Sequence, residues 1–303
     1  MKPDSLLLSA PDRLLADEVA AHLKTSWLGR QCYCFERVTS TMEAARRLAL
    51  GGAPDGTAVT AEMQTAGRGR MARAWHSAPG LGIWCSMLLP AGPGAGSVAL
   101  LVAAGIVSAL RAYGVPLCAV KWPNDVMAVA WDGTTLPEWK DRPPAEWPAN
   151  AVASAKKIAG ILIETVREPG SRLVVGMGIN VRHGETEFPP DLAAHATSLR
   201  LCGGKASNRA SLLADILREV EKRYDVARYG TAHQGAAMVE EWCAQSLVLG
   251  REVTVLEAGT AYAGRALRIQ PDGALLVETE GGSRPVYSGS VSLRLSGSDA
   301  RTS

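Results

Sequence analysis

A short segment rich in glycine and arginine, Gly67-Arg68-Gly69-Arg70, has the residue types that bind an anion. Glycines allow backbone N–H groups to turn toward a phosphate, while guanidinium groups donate to its oxygens. No Asp or Glu occurs between Glu62 and Asp125, but five basic residues do. These are Arg68, Arg70, Arg73, Arg111 and Lys121. The imbalance should attract an anion. For this segment alone the commoner explanation is a basic loop that is simply solvated, because exposed arginines are frequent, and it is the neighbouring motifs that favour an anion-binding loop.

The same segment satisfies the G-x-G-x-x-[GA] pattern of dinucleotide-binding folds, since Ala72 follows at the required distance. In those folds the pattern opens a helix, and an acidic residue follows about 20 residues later. Residues 75–82 contain proline and glycines instead of a helical pattern, and the acidic residue is missing. No Gly-Lys-Ser/Thr closes a P-loop either. We therefore exclude both fingerprints for this segment.

Two further segments bring polar residues to the ends of apolar strands. The run 121–125, Lys-Trp-Pro-Asn-Asp, ends in a turn whose amide and carboxylate are the kind of ligand that Mg²⁺ and its phosphates prefer, although Pro-Asn-Asp alone is simply a good turn. Lys157 begins an apolar strand, where a lysine is costly unless it pairs with an anion. Gly176 and Gly178 share one face of another strand and leave room for a ligand, although a β-bulge explains either glycine alone.

The elements that must position these residues follow from hydrophobic periodicity. Helices are predicted at 11–24, 40–50, 97–113 and 208–229, and strands at 31–38, 57–63, 81–89, 116–121, 157–165 and 172–180. The strands 116–121 and 157–165 are expected to be central, and 64–80 is expected to be a mobile loop. Ser40 and Glu43 predict a capping box at the start of the second helix.

Beyond Leu249 the sequence changes to short β segments, which predict a small all-β module of about fifty residues. They are 251–257, 261–269, 274–280 and 284–287. Between the strands 116–121 and 157–165 lies an insertion, residues 131–155, with four prolines and three tryptophans. Such a segment either binds a partner or packs its indoles back onto the protein, and we favour packing.

Composition excludes several classes of protein. The 303 residues are 47% apolar, and 32 basic against 30 acidic side chains leave a net charge of +2, unlike a disordered chain or one that binds nucleic acid by bulk charge. The longest apolar run, 98–110, is shorter than the roughly 20 residues of a membrane span, and no secretory signal is recognisable. The six cysteines form no zinc or redox motif, and Cys85 and Cys118 are expected to be buried. We therefore expect a cytoplasmic protein with no membrane association.

Taken in order along the chain, these motifs resemble those of biotin protein ligases. The matching residues are Ser40-Thr41, Gln64 to Arg70, Trp75, Lys121 to Asp125, Lys157 to Gly160 and Gly178 to Asn180. The resemblance covers about residues 31 to 295, and the β module is similar to the SH3-like carboxy-terminal domain of that family. It implies an α+β fold, in which a mixed-sheet catalytic domain of the biotin/lipoate ligase type precedes a small β-barrel.

The resemblance also implies a reaction and a set of site residues. ATP and biotin would form biotinyl-5′-AMP, and biotin would then pass to a lysine of a biotin carboxyl carrier protein. Catalysis would fall to Lys157, Arg68 and Arg70, and Asp125 would bind the Mg²⁺ that accompanies ATP. The residues implied for biotin are Ser40, Thr41, Gln64, Gly67, Arg68, Lys157, Gly160, Gly176 and Gly178. The residues implied for ATP are Arg68, Arg70, Trp75, Lys121, Asn124 and Asn180.

The predicted domain organisation is an amino-terminal helical extension at 1–30, the catalytic domain at 31–246, the SH3-like domain at 247–295 and a tail at 296–303. The 30 residues before the first strand are too few for a winged helix-turn-helix, so no DNA binding is expected. Two alternatives remain open: a lipoate or octanoate ligase of the same superfamily, and a biotin-sensing transcriptional regulator. The sequence leaves the oligomeric state undecided, with a homodimer among the options.

Overall fold

The computed structural model describes residues 13–131, 135–167, 170–205, 208–257 and 260–287, and the backbone of residues 291–295. The helices are α1 (Ala16–His22), α2 (Thr41–Leu50), α3 (Ala95–Ala112), α4 (Ala149–Ser154), α5 (Pro190–Ala193), α6 (Arg209–Tyr229) and α7 (Ala232–Ala244). The first seven strands are β1 (Cys32–Val38), β2 (Ala58–Gln64), β3 (Gly82–Pro90), β4 (Cys118–Lys121), β5 (Asp125–Ala128), β6 (Lys156–Val166) and β7 (Arg172–Asn180). The remaining strands are β8 (Glu252–Glu257), β9 (Thr260–Ile269), β10 (Leu275–Thr279), β11 (Gly282–Val286) and β12 (Val291–Leu295). The predicted tail and residues 1–12 lie outside the described residues.

A seven-stranded mixed sheet forms the body of the protein, in the order β1-β2-β3-β7-β6-β5-β4. Strands β1 and β2 are parallel, and the other neighbours are antiparallel. Helices α1, α3 and α6 pack on one face and bury the larger apolar cluster, while α2 covers part of the opposite face. Alternation along each strand therefore sends one set of side chains to the large core and the other toward α2. The predicted α+β architecture is confirmed.

Helix α3 is long and apolar enough to cross a membrane, with a mean hydropathy of 1.8. However, 72% of it is buried inside the protein, because it lies between the sheet and α6. This burial is typical of the central helix of a soluble domain, since a membrane span would present its apolar surface to lipid.

The start of α2 differs from the prediction. Ser40 is the residue that precedes the helix, but its side chain makes no capping hydrogen bond, so the predicted capping box is wrong. The buried Ser40 hydroxyl has no partner among the described residues. A capping box does occur at α7, a helix that the sequence analysis missed, where Thr231 and Gln234 satisfy each other's backbone N–H groups.

Buried carboxylates hold the amino-terminal segment against the body. Glu221 of α6 accepts hydrogen bonds from three successive N–H groups, at 2.6 Å from Ser26, 2.9 Å from Trp27 and 2.8 Å from Leu28. Glu62 of β2 accepts one from the Leu14 N–H group at 2.7 Å and pairs with Arg209 at 2.8 Å. A buried charge is tolerated when it is paired and hydrogen-bonded in this way.

Strand β4 lies at the edge of the sheet, which contradicts its predicted central position. Its outer side is covered by the segment after α7, because Val120 exchanges backbone hydrogen bonds of 2.8 Å with Gln245 and Leu247. An edge strand that is covered by another segment of the chain is as apolar as a central strand. Apolarity alone therefore cannot tell which position the strand takes in the sheet.

The carboxy-terminal module is a five-stranded antiparallel sheet in the order β11-β10-β9-β8-β12. Its strands agree with the predicted segments, and β12 adds a fifth. Arg251 joins the module to the insertion by donating to the carbonyl oxygens of Pro144, Ala145 and Trp147, at 3.1, 2.9 and 2.8 Å. Trp147 is buried and lies 5.3 Å from Trp139 between ring centroids, so in the described part of the insertion these indoles pack back onto the protein, as favoured.

Candidate functional site

Three glycines, Gly160, Gly176 and Gly178, lie on the face of the sheet that α2 partly covers. Gly160 of β6 pairs in register with Gly178 of β7, and Gly176 follows on the same face two residues away. A Cβ atom at Gly176 would lie 2.7 Å from the Met42 side chain, which places that glycine under α2. The prediction that Gly176 and Gly178 share a face is confirmed, and Gly160 extends the same smooth surface.

The indole of Trp75 lies directly over this glycine surface. A Cβ atom at Gly160 would come within 2.9 Å of the Trp75 ring, and one at Gly178 would overlap the ring. The Trp75 indole nitrogen is buried and has no hydrogen-bond partner among the described residues. A buried donor without a partner is costly, so this N–H is available to a ligand that carries an acceptor.

One end of the surface is lined by hydroxyl and amide groups. The Gln64 side-chain oxygen accepts from the Thr41 backbone N–H at 2.8 Å, and its nitrogen donates to the Ser77 hydroxyl at 2.8 Å. The Thr41 and Ser86 hydroxyls are 2.8 Å apart, and the Ser40 hydroxyl next to them has no partner in the described chain. This polar cluster, defined as Ser40, Thr41, Gln64, Ser77 and Ser86, can both donate to and accept from a polar ring.

The other end carries positive charge. The ammonium of Lys157 lies 2.6 Å from an Asp125 carboxylate oxygen and 5.0 Å from the centre of the Trp75 ring. The ring face attracts the cation, and the carboxylate offsets the cost of removing the half-buried ammonium from water. Lys157 and Asp125, which were predicted separately, are therefore direct neighbours across β5 and β6.

Both loop arginines reach across to these strands. Arg70 donates to the Asn124 side-chain oxygen at 3.0 Å, and Arg68 lies 3.2 Å from the carboxylate of Glu164. Asn124 is itself fixed to β6, because its side chain donates to the Ile161 carbonyl oxygen at 2.7 Å. Burial lowers the pKa of Arg70, with Arg73 adding to the effect and Asp125 opposing it. A desolvated guanidinium of this kind is a strong partner for an incoming anion.

The loop itself is a tight hairpin. Gly69 N–H donates to the Arg73 carbonyl oxygen at 2.7 Å, and Trp75 N–H donates to the Gly67 carbonyl oxygen at 2.9 Å. Residues 70–72 form a tight turn in which Met71 and Ala72 both have positive φ, at 54° and 58°. No helix follows, which agrees with the exclusion of a dinucleotide fingerprint. A Cβ atom at Gly67 would lie 2.6 Å from the Trp75 carbonyl oxygen, so the hairpin closes only with glycine there.

Two of the expected nucleotide residues lie at the border of this arrangement. The Asn180 amide, at the end of β7, donates to the Thr197 carbonyl oxygen at 3.0 Å and is buried. Lys121 ends β4 and pairs in register with Asp125. The structure therefore brings Lys121 to the same turn as Asn124 and gives Asn180 a structural hydrogen bond.

Several residues beside the site were missed by sequence reasoning. Glu164, Ser77 and Ser86 make contacts that arise only when the loop folds back over the sheet, and no spacing rule identifies them. His183 is fully buried, stacked on Phe188 at 4.5 Å between ring centroids and near Trp84 and His76. Its pKa falls to about 4, chiefly because burial disfavours the imidazolium form, with His76 adding to the effect and Glu187 opposing it.

The described residues contain no cluster of three His, Cys, Asp or Glu side chains that could hold a metal by themselves. Mg²⁺ bound to a nucleotide needs less, since one or two carboxylates complete a shell of phosphate oxygens and waters. Asp125 can provide one such oxygen, because it lies at the charged end beside Lys157. The donor set therefore fits a cation that arrives with ATP better than a resident metal.

Comparison with known proteins gives a consistent picture. Residues 34–180 match the Biotin/lipoate A/B protein ligase family, and residues 248–294 match the Biotin protein ligase C terminal domain. The chain is 32% identical over 292 residues to the bifunctional ligase/repressor BirA of Bacillus spizizenii, which covers 95% of this chain and 81% of that protein. It is also 32% identical over 250 residues to the biotin–[acetyl-CoA-carboxylase] ligase of Mycobacterium tuberculosis, which covers 81% of this chain and 82% of that enzyme.

A solved structure extends the comparison to the fold. Biotin protein ligase from Aquifex aeolicus, in complex with biotin and ATP, superimposes with a TM-score of 0.68 at 27% identity, which covers 88% of this chain and 100% of that one. Sequence, domain order and fold therefore lead to one conclusion: the chain belongs to the biotin protein ligase family and is a ligase.

Proposed function

We propose that the protein joins biotin to ATP as biotinyl-5′-AMP and then transfers biotin to a lysine of a biotin carboxyl carrier protein. One observation carries the proposal: a single glycine-lined surface runs from the polar cluster to Lys157, Arg68 and Arg70. Biotin has a polar ureido ring at one end and a carboxylate at the other, so it matches both ends of this surface. The solved relative from Aquifex aeolicus holds biotin and ATP.

In the first step, a biotin carboxylate oxygen attacks the α-phosphorus of ATP, and pyrophosphate leaves. The reacting groups are both anionic, so the site must neutralise their repulsion. Lys157 is suited to lie between the carboxylate and the α-phosphate, after exchanging its contact with Asp125 for the substrate. Arg68 and Arg70 would exchange Glu164 and Asn124 for phosphate oxygens. Mg²⁺ bound to ATP would add positive charge on the side of Asp125.

In the second step, the ε-amine of the carrier lysine attacks the acyl carbon of the mixed anhydride, and AMP leaves. The reaction needs no nucleophile from the enzyme, because the substrates supply both attacking groups. The enzyme therefore acts by holding the reacting atoms and by stabilising charge. Trp75, which covers Gly160 and Gly178, would have to shift or line the substrate as the surface becomes occupied.

The proposed reaction takes place in the cytoplasm, involves no membrane, and does not include DNA binding. The family also includes lipoate ligases, and the polar cluster is the observation that favours biotin. Lipoate presents an aliphatic chain and a dithiolane ring to this end, so the buried Ser40 hydroxyl, which has no partner among the described residues, would gain none from it.

The test is to mix the protein with MgATP and biotin, lipoate or octanoate, and to measure pyrophosphate. Biotin alone among the three should give pyrophosphate above background, and adding a carrier domain should produce a protein with the mass of one added biotinyl group. Equal pyrophosphate release with lipoate would overturn the substrate assignment. A gel-shift assay with DNA from the promoter of the gene that encodes the protein should show no specific complex.

A further inference from the structure

A turn of the carboxy-terminal module is inserted between α3 and the strand end that carries the Asn124-Asp125 turn. This turn, residues Pro271-Asp272-Gly273, joins β9 to β10. The Pro271 carbonyl oxygen accepts from the Ser97 hydroxyl at 3.2 Å, at the first turn of α3. On the other side, the Gly273 carbonyl oxygen accepts from the Trp122 indole N–H at 3.0 Å. The module therefore contacts the catalytic domain through a defined hydrogen bond to Trp122.

The close approach requires glycine at position 273. A Cβ atom there would lie 2.5 Å from the carbonyl carbon of Gly96 and 2.6 Å from the Ser97 nitrogen, both of which are backbone atoms. Its φ of +85° also lies in the left-handed region that favours glycine. The turn is rigid, because Gly273 N–H donates to Gln270 and the Asp272 carboxylate accepts from the Ala274 N–H.

Trp122 connects this turn to the charged end of the site. It is 1% exposed and lies two residues before Asn124. Asn124 accepts from Arg70 at 3.0 Å, and Asp125, the next residue, lies 2.6 Å from Lys157. The far side of the Asn124-Asp125 turn is fixed to β6 by two hydrogen bonds between Asn124 and Ile161, of 2.7 and 2.9 Å. The turn is thus held from β6 on one side and from the module on the other.

We infer that Trp122 is a positioning residue through which the carboxy-terminal module sets the geometry of the adenylation step. The inference rests on the proposed function, since it assigns that site a further component. Catalysis by charge stabilisation is sensitive to misplacements of about 1 Å. The Trp122–Gly273 hydrogen bond fixes the start of the turn that presents partners to Arg70 and Lys157. The module then contributes to the first chemical step and is more than a surface for the carrier protein.

The first test removes the hydrogen bond and keeps an aromatic ring. Trp122→Phe leaves the Gly273 carbonyl oxygen without its donor, and we expect kcat for adenylate formation to fall about tenfold while the Kd for biotin stays within about twofold. Trp242→Phe is the matched control. Trp242 is also 1% exposed, but its indole N–H has no partner among the described residues, so its replacement removes ring area without a hydrogen bond.

The second test displaces the turn from the module side. Gly273→Ala introduces a Cβ atom against the α3 backbone, and we expect the same loss of kcat as in Trp122→Phe. Gly250→Ala is the control, because Gly250 belongs to the same end of the module and has a φ of +73°, with nothing within 4 Å of the added Cβ atom. It carries the backbone strain of Gly273→Ala without the clash.

Thermal melting and biotin binding separate positioning from loss of the fold. The inference is supported when both test variants lose kcat while their Tm and biotin Kd match those of their controls. It is overturned when Trp122→Phe has the kcat of Trp242→Phe, or when kcat and Tm fall and the biotin Kd rises together in the test variants. Failure of the proposed function has a different signature, because the unaltered protein would then form no biotinyl-5′-AMP.

Discussion

Lys157 and Asp125 form a half-buried ion pair in which each side chain is about one-third exposed, at 33% and 27%. Such a pair gains little stability, because desolvation cancels most of the Coulomb attraction. Removing the lysine should therefore affect chemistry more than folding. Its neighbour Lys156 provides a comparison on the same strand, since within the described part of the chain its ammonium donates to the Ala193 carbonyl oxygen, at 3.0 Å, and to no carboxylate.

We expect Lys157→Ala to slow adenylate formation by at least about 100-fold, because the site loses a charge that the transition state requires, a loss of roughly 3 kcal/mol. Lys156→Ala should stay within about threefold of the unaltered protein. Pyrophosphate release in single-turnover reactions measures both. Similar rates for the two variants would remove Lys157 from the catalytic set.

Ser40 gives a second prediction, because its buried hydroxyl has no partner in the described chain. Ser40→Ala should leave Tm unchanged or slightly raised, while weakening biotin binding about tenfold through loss of one hydrogen bond. Thr41→Val should instead lower Tm, because the Thr41 hydroxyl is hydrogen-bonded to the Ser86 hydroxyl at 2.8 Å and to the Gln64 side-chain oxygen at 3.1 Å. Calorimetry and biotin titration give both readouts. Unchanged affinity in Ser40→Ala would exclude that hydroxyl from the biotin site.

His183 predicts a pH dependence of stability. Its folded pKa, about 4, lies below the ordinary value of 6.5, so the unfolded chain binds more protons between these pH values. The free energy of unfolding is therefore unaffected by His183 above pH 6.5 and decreases as the pH falls toward 4. At pH 5 the decrease amounts to about 2 kcal/mol. His183→Phe should reduce the change in the urea denaturation midpoint between pH 7 and pH 5. His233→Phe, on an exposed position of α7, should keep the slope of the unaltered protein.

At the scale of the elements, the loop from Gly67 to Trp75 is held to the body by side chains that also suit an anion. Arg68 and Arg70 fasten it to Glu164 and Asn124, and Met71 at its tip is 61% exposed. An anion that binds both arginines would replace the separate contacts with Glu164 and Asn124 by one ligand that both side chains share. The loop should therefore become more ordered when substrates bind.

Limited trypsin digestion checks this expectation at the bonds after Arg68, Arg70 and Arg73. Cleavage there should slow at least about tenfold with biotin and ATP together, and less with either alone, because adenylate engages both ends of the surface. Cleavage after Arg30, which is exposed in the amino-terminal turn, is the internal control and should not change. Equal protection at Arg30 would indicate global stabilisation instead of loop ordering.

Many of the helices and strands could be predicted from the sequence. The strands β2, β3, β6 and β7 and the helices α3 and α6 follow directly from apolar periodicity. Helix α7 was missed because only two of its side chains, Val239 and Trp242, are buried. The site motifs were recognised because each is local, whereas the Arg68–Glu164 and Lys157–Asp125 pairs depend on how the loop and strands come together. A side chain's partner across a sheet is set by register, which the sequence alone does not give.

At the scale of the whole molecule, one buried ion pair connects the sheet, the amino-terminal segment and α6. Arg209 is fully buried, pairs with Glu62 and donates to the Gly82 carbonyl oxygen at 2.9 Å. Glu62 also accepts from the Leu14 N–H group. Removing the arginine would leave the carboxylate buried without its counter-charge.

Arg209→Leu should therefore lower the free energy of unfolding by about 3–5 kcal/mol. Arg218→Leu is the control, because Arg218 lies on the same helix, is 41% exposed and makes surface pairs with Asp215 and Glu219. Its cost should be at most about 1 kcal/mol. Urea denaturation followed by circular dichroism measures both. Equal losses would mean that the buried pair contributes no more than a surface one.

The carboxylate of Glu221 that accepts from Ser26, Trp27 and Leu28 has a consequence for the time at which the fold can form. Ser26 and Glu221 are 195 residues apart in the chain. A ribosome adds about 5–20 residues each second, so at least about 10 seconds separate the synthesis of the two partners. During that interval the backbone N–H groups of Ser26, Trp27 and Leu28 have no carboxylate acceptor from α6. The newly made chain therefore depends on α6 to complete a region that was synthesised first.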